Sequence, residues 1–183
     1  MIVVERFETY TKQTCRNRCI IYGPNGKQPL SIPVKKVDGN HTMVKDVKLS
    51  DSSAWQNIHW RSIETAYNNS PFFLYYRDRF ESFFLKRFDS LIELNTSILE
   101  VVFTALGVEK PIRFTDHYEK TPVLVTDQRS AMIGKNSQIS LPPYTQCFSE
   151  KFGFLSDLSI IDLIFNLGPE SQNYLVKIAG DIY

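Results

Sequence analysis

Residues Leu158–Ser171 read LSIIDLIFNLGPES. Ser159 and Asp162 have the spacing of a helix N-terminal capping box, and Gly168 followed by Pro169 is a stop signal. Between them Ile160, Ile161, Leu163, Ile164, Phe165 and Leu167 leave a single polar stripe. Asp162 and Asn166, one helical turn apart, share that stripe, with Ser159 near its start. A helix that is apolar nearly all round is a buried helix. Its carboxylate and amide must therefore be paired, or must face a site. Two readings stand side by side: a cap with structural hydrogen bonds, or the polar wall of a ligand pocket.

The rest of the chain bounds what this helix belongs to. At 183 residues with 43% hydrophobic content, residues 1–183 fit one domain that buries a core without staples. No apolar run approaches the ~20 residues of a membrane span. In the opening MIVVERFETY, Glu5 and Arg6 interrupt any signal-peptide core, so the chain reads as cytoplasmic and soluble. A net charge of +1 opposes a general nucleic-acid binder. Cys15, Cys19 and Cys147, an odd count with no export signal, read as free thiols. Neither their spacing nor the scattered His41, His59 and His117 makes a zinc pattern, so no metal ligand is assigned.

The first third reads as β structure: Ile2 to Phe7, Cys19 to Tyr22, Leu30 to Val34 and about Val44 to Leu49, with a turn at Gly23-Pro24-Asn25-Gly26. The middle reads as three helices. The first starts at Ala54 behind a Ser52 or Ser53 cap and turns Trp60, Ile63, Ala66 and Tyr67 inward, with His59 on the same side. The second starts near Pro71 and carries Phe72, Phe73, Tyr76, Phe80, Phe83 and Phe84. The third runs from about Ser90 to Leu106 and ends at Gly107. Ile112 to Thr115 reads as a strand returning to the sheet, and His117 to Pro143 as a long loop. A final helix spans Pro169 to Ala179. The expected fold is α/β or α+β, a mixed sheet from the first third packed against helices from the middle and C-terminal parts. The aromatic residues from Trp55 to Phe88 read as core, with a sugar or nucleotide platform as the rival.

The strongest polar cluster is Tyr10 to Cys19, YTKQTCRNRC. In an extended segment Lys12, Arg16 and Arg18 share parity and point to one side. Such a group grips a phosphate or carboxylate, or is a solvated face. Asn17 points elsewhere or caps a turn. Lys35, in SIPVKK, joins the cluster if its strand pairs nearby, or guards an edge. His59, beside two tryptophans, is a candidate base or a satisfied core residue. Cys147 lacks a neighbouring base–orienter pair. No P-loop, GxGxxG, HExxH or GxSxG occurs, so no cofactor is assigned.

In combination, KQTCRNRCIIYGPNG, LSIPVKK, WQNIHWRSIETAYNNSPFF, LIELN and YTQCFSEKFGFLSDLSIIDLIFNLGPES resemble the WbqC-like family, in the form found in Bacteroides-like bacteria. The pieces follow the family's order and cover most of the chain. The resemblance implies a cytoplasmic bacterial protein and a role in O-antigen or other surface-polysaccharide synthesis. It further implies action on a nucleotide-linked amino sugar, with acyl or aminoacyl transfer to the sugar's amine as one idea. Relatives carry an additional strand and helix with a motif close to HxPxYFPWxGYF, which would precede Met1-Ile2-Val3-Val4. The matched polar positions are Lys12, Arg16, Asn17, Arg18, Lys35, His59, Tyr67, Asn95, Tyr144, Gln146, Ser159, Asp162 and Asn166. His59 and Asp162 are the candidate bases and the others the candidate substrate contacts, with the cations on a phosphate. The alternative is a non-enzymatic binding or scaffolding component of a polysaccharide-synthesis complex. All of these assignments assume that the cationic segment and the acid–amide edge of the penultimate helix open into one cleft.

Overall fold

The structure, a computed structural model, describes residues 1–50, 54–123, 125–132 and 141–182. The strands are β1 (Ile2–Val4), β2 (Arg18–Gly23), β3 (Gly26–Ser31), β4 (Val34–Lys35), β5 (Lys48–Leu49) and β6 (Ile112–Phe114). The helices are α1 (Trp55–Tyr67), α2 (Phe73–Leu85), α3 (Leu91–Ala105), α4 (Ser149–Phe152), α5 (Ile160–Leu167) and α6 (Ser171–Ile182). The mixed α and β class is as expected. The mixed sheet, however, is divided: among the described residues β1 and β6 pair in parallel, while β2–β3 and β4–β5 pair antiparallel, each as a separate two-stranded ribbon. Pro33 ends the run that began at Leu30, because it has no N–H to donate. Val44–Asp46 winds into a 3₁₀ turn ahead of the short β5.

The hairpin β2–β3 is the longest ribbon, with Arg18 opposite Ser31 and Gly23 opposite Gly26. Pro29 sits opposite Ile20. There the Ile20 carbonyl points to the other edge and accepts from the Ser159 backbone N–H at 2.7 Å, so proline's missing donor costs nothing. Next along that edge, the Tyr22 N–H donates to the Tyr67 hydroxyl at 3.1 Å. The free side of β2 is thus closed by α5 and α1 rather than by another strand.

Local chemistry sets the helix ends. The Ser90 hydroxyl accepts from the Glu93 N–H, capping α3. Gly107, at φ 65°, closes its far end: the Val108 N–H reaches the Phe103 carbonyl and the Gly107 N–H the Thr104 carbonyl, a Schellman arrangement. Helix α2 begins at Phe73 rather than Pro71, because the Phe72 N–H is taken by the Phe165 carbonyl at 3.0 Å. Ser52 and Ser53, the expected caps of α1, lie outside the described residues, as does part of the expected long loop.

The core forms around Phe165, fully buried on α5. Its ring meets Tyr67 at 5.3 Å, Phe73 at 5.2 Å and Phe80 at 5.3 Å between centroids. Trp60, Ile63 and Ala66 of α1 and Val102 and Ala105 of α3 complete the same cluster. The middle aromatics are therefore chiefly core, as their spacing implies. Helix α5 stops at Gly168, whose φ is 54° and whose added Cβ would lie 2.5 Å from the Phe72 ring. Both the turn and the contact demand glycine. Gly168→Ala is expected to lower stability by about 2–4 kcal/mol in urea denaturation. Gly26→Ala, at φ +98° with nothing within 4 Å, is expected to cost only about 1 kcal/mol. Equal losses would show that the Phe72 contact carries no energy.

Candidate functional site

Among the described residues Asp162 is the most deeply buried charged side chain, with 0% exposure. Its Oδ2 accepts from the Tyr144 hydroxyl at 2.7 Å and from Gln146 Nε2 at 2.9 Å. Among the described residues, Oδ1 has no hydrogen-bond partner. The Tyr67 hydroxyl lies close enough to favour the charged carboxylate. Burial outweighs these donors and raises the Asp162 pKa, as expected for a carboxylate moved out of water. The same burial, reinforced by the carboxylate, pushes the Tyr67 and Tyr144 hydroxyls far up. Both hydroxyls therefore stay protonated, which suits Tyr144 as a donor.

Each partner of Asp162 has a second task. Gln146 pairs with the Leu155 backbone in both directions, Nε2 to its carbonyl at 3.0 Å and Oε1 from its N–H at 2.9 Å. Tyr67 also accepts from Tyr22 of β2. Asn166 donates to the Asp162 carbonyl at 2.7 Å, while its Oδ1 faces the Cys147 thiol at 3.8 Å. Burial raises the pKa of that thiol, which leaves it a poor nucleophile. The capping box inferred from Ser159 and Asp162 is corrected here. Ser159 does occupy the N-cap, and its carbonyl accepts from the Asp162 N–H at 2.9 Å. Its hydroxyl makes no cap bond and instead bonds Cys19. The Asp162 side chain is drawn to better donors.

The cationic segment is arranged differently. Residues 12–17 form turns rather than an extended run, with the Asn17 N–H donating to the Thr14 carbonyl and Gln13 at φ 60°. The shared parity expected of Lys12, Arg16 and Arg18 is therefore lost. Arg16 turns inward and forms an ion pair with Glu8, the two side chains 12% and 17% exposed. Asn95 holds the Arg16 carbonyl at 2.7 Å, and Asn17 holds the Ile32 carbonyl at 3.1 Å. Lys12 is exposed. Lys35 stands opposite Lys48 across β4–β5, away from the hairpin ladder.

Arg18 is exposed, and its Nε donates to the Ser31 hydroxyl at 3.0 Å. His59 lies beside the backbone of the same Ser31, which favours its charged form, and meets the edge of Trp55 at 5.3 Å. Burial lowers the His59 pKa, and the Ser31 backbone only partly offsets it. The imidazole is thus neutral at pH 7. Two groups emerge. One gathers Tyr67, Tyr144, Gln146, Asp162 and Asn166 in the interior. The other places Arg18 and His59 at Ser31, with Arg16, Asn17 and Asn95 behind them. Ser159, bonded to β2, stands between the two. Glu8 and Ser31, absent from the expected site, organise the second group. Glu8 stands eight residues from Arg16, too far for a local spacing rule to signal its part.

The raised Asp162 pKa has a defined sign. The folded carboxyl holds its proton more tightly than the unfolded one, whose value is 3.8. Its contribution to stability is thus fully present below that value and lost as pH rises through the folded pKa. Relative to wild type, Asp162→Asn is expected to be most destabilising near pH 4 and progressively less so toward pH 7, by urea denaturation across that range. Parallel stability curves for the two proteins would contradict the assignment. Asp162→Ala, which strands Tyr144 and Gln146, is expected to cost about 3–5 kcal/mol.

The model of the WbqC-like protein family matches residues 1–136, a span holding the hairpin, the Ser31 group and Tyr67. A similar protein of Mycobacterium tuberculosis (strain ATCC 25618 / H37Rv), called uncharacterized protein Rv1507c, is 26% identical over 196 residues, covering 91% of this chain and 83% of its own. No solved structure matches. Among the described residues no helix is long and apolar enough to cross a membrane. The extent of the family match decides the identity: this chain belongs to the WbqC-like protein family.

Proposed function

We propose that the protein is a cytoplasmic transferase of bacterial surface-polysaccharide or O-antigen synthesis that acts on a nucleotide-linked amino sugar. The family resemblance supports the substrate class. One observation supports the location: Arg18 and His59 converge on Ser31, one through its hydroxyl and the other through its backbone. Arg18, with Lys12 nearby in sequence, holds the phosphate of the nucleotide sugar through its exposed N–H groups. His59, neutral and beside Ser31, takes the proton from the sugar's amine as that nitrogen attacks the carbonyl of an acyl or aminoacyl donor, and returns it to the donor's leaving group as the bond from the carbonyl carbon to that group breaks. Asp162, Tyr144, Gln146 and Asn166 hold α5 and its N-cap Ser159 against β2, and so fix the wall beside Cys19.

A second reading, a scaffolding component of a synthesis complex, draws on the exposed Leu74 and Leu85 of α2, 73% and 76% accessible, and on the internal neutralisation of Arg16 by Glu8.

Calorimetry with UDP- and dTDP-amino sugars tests the first reading. Binding is expected, and Arg18→Ala is expected to weaken it by about 2 kcal/mol with folding intact. His59→Asn should leave affinity nearly unchanged and slow transfer by about 10²–10⁴-fold. In wild type the acid limb of the rate profile should fall below pH 6.5, the ordinary histidine value. An Arg18→Ala protein that binds these sugars as wild type does, yet loses its protein partners in pull-down, would instead establish the scaffolding reading.

A further inference from the structure

We infer that the groove between α2, the end of α3 and the start of α6 binds one sugar ring. This inference shares no residue with the Ser31 group and goes beyond the transferase reading. The groove is shallow and open to solvent, with a volume of about 250 Å³, just under the ~300–1,000 Å³ of sites for drug-sized ligands. That size suits a single small ring. Its lining includes Tyr75, Tyr76, Arg79, Thr104, Gly107 and Gln172.

Tyr75 departs from the other aromatics of α2. It is 68% exposed, whereas Tyr76 is 3% exposed. The two rings meet edge to face at 4.8 Å and 87°, so the buried Tyr76 fixes the plane that Tyr75 offers to solvent. A held aromatic face attracts the polarised C–H groups of a sugar ring. The Arg79 guanidinium lies 5.8 Å from the Tyr75 ring centre, and among the described residues no carboxylate forms an ion pair with it. Its donors and the Gln172 amide form a set matched to ring hydroxyls, beside the Thr104 hydroxyl, which donates to the Glu100 carbonyl at 3.0 Å and keeps only its acceptor side for a ligand.

The backbone adds little net charge to the groove. The C-terminus of α3 brings its negative end to the groove at Ala105–Gly107, while Pro169 and Gln172 bring the positive start of α6. These opposed dipoles largely cancel, leaving a site with both donors and acceptors.

The test is amide NMR titration of the full chain with methyl glucoside, methyl galactoside and N-acetylglucosamine, up to about 100 mM. Saturable shifts centred on Tyr75, Thr104, Gly107 and Gln172 are expected for at least one of them. Tyr75→Ala, a change at an exposed position, should weaken that binding about tenfold or more while the melting temperature holds. Arg79→Gln should weaken it less, and Arg18→Ala not at all. Absence of saturable shifts with all three sugars would overturn the inference, as would full retention in Tyr75→Ala or displacement by inorganic phosphate. Loss in Arg18→Ala would move the sugar to the Ser31 group, overturning this inference while supporting the transferase reading.

Discussion

A carboxylate sealed from water has to be answered by donors brought from elsewhere, and here Asp162 imposes that requirement on the whole fold. A buried ionisable group with one partner removed costs several kcal/mol. Its donors come from separate parts of the chain: Tyr144 and Gln146 from the segment before α4, and Tyr67 from the end of α1. Satisfying one side chain thus fixes the relative placement of a helix from the first half and a segment from the second. Gln146 extends the constraint to Leu155, and Tyr67 extends it to β2 through Tyr22.

The hairpin carries that constraint outward. Its free edge is bonded by Ser159 at Ile20 and by Tyr67 at Tyr22, so β2 is held by the same two helices that enclose the carboxylate. Arg18 opens that strand, with Ser31 opposite it, and His59 of α1 reaches the Ser31 backbone. The cation and the neutral imidazole are therefore located by elements that the interior network has already positioned. On the proposed reading the carboxylate is a fixed support, and the exposed Arg18 at the end of the hairpin, with the largely buried His59 behind it, is where substrate would be met.

Much of this was legible in the sequence where one local rule acted alone. The inward faces of α1, α2 and α3, the stop at Gly168 and the burial of the Asp162–Asn166 stripe all follow from spacing and residue type. Failures arose where a distant partner outbid a local one. Ser159 and Asp162 satisfy the capping-box spacing, yet Cys19 claims the hydroxyl and Tyr144 with Gln146 claims the carboxylate. Arg16 reads as one of three aligned cations until Glu8 draws it inward, and the parity rule fails because residues 12–17 turn instead of extending. The division of the expected sheet into ribbons was equally hidden, since it depends on helices and backbone groups closing the edge of β2. Composition groups Tyr75 with its aromatic neighbours as core, and only its position on the outer face of α2 separates it from them.

The most direct measurement of the central claim is a double-mutant cycle on folding stability between Tyr67→Phe and Tyr144→Phe. The two hydroxyls come from different halves of the chain and share one carboxylate. The account predicts coupling: losing both should differ from the sum of the single losses by about 1 kcal/mol. Additivity within about 0.3 kcal/mol would mean that the two hydroxyls act separately and that Asp162 does not join the halves.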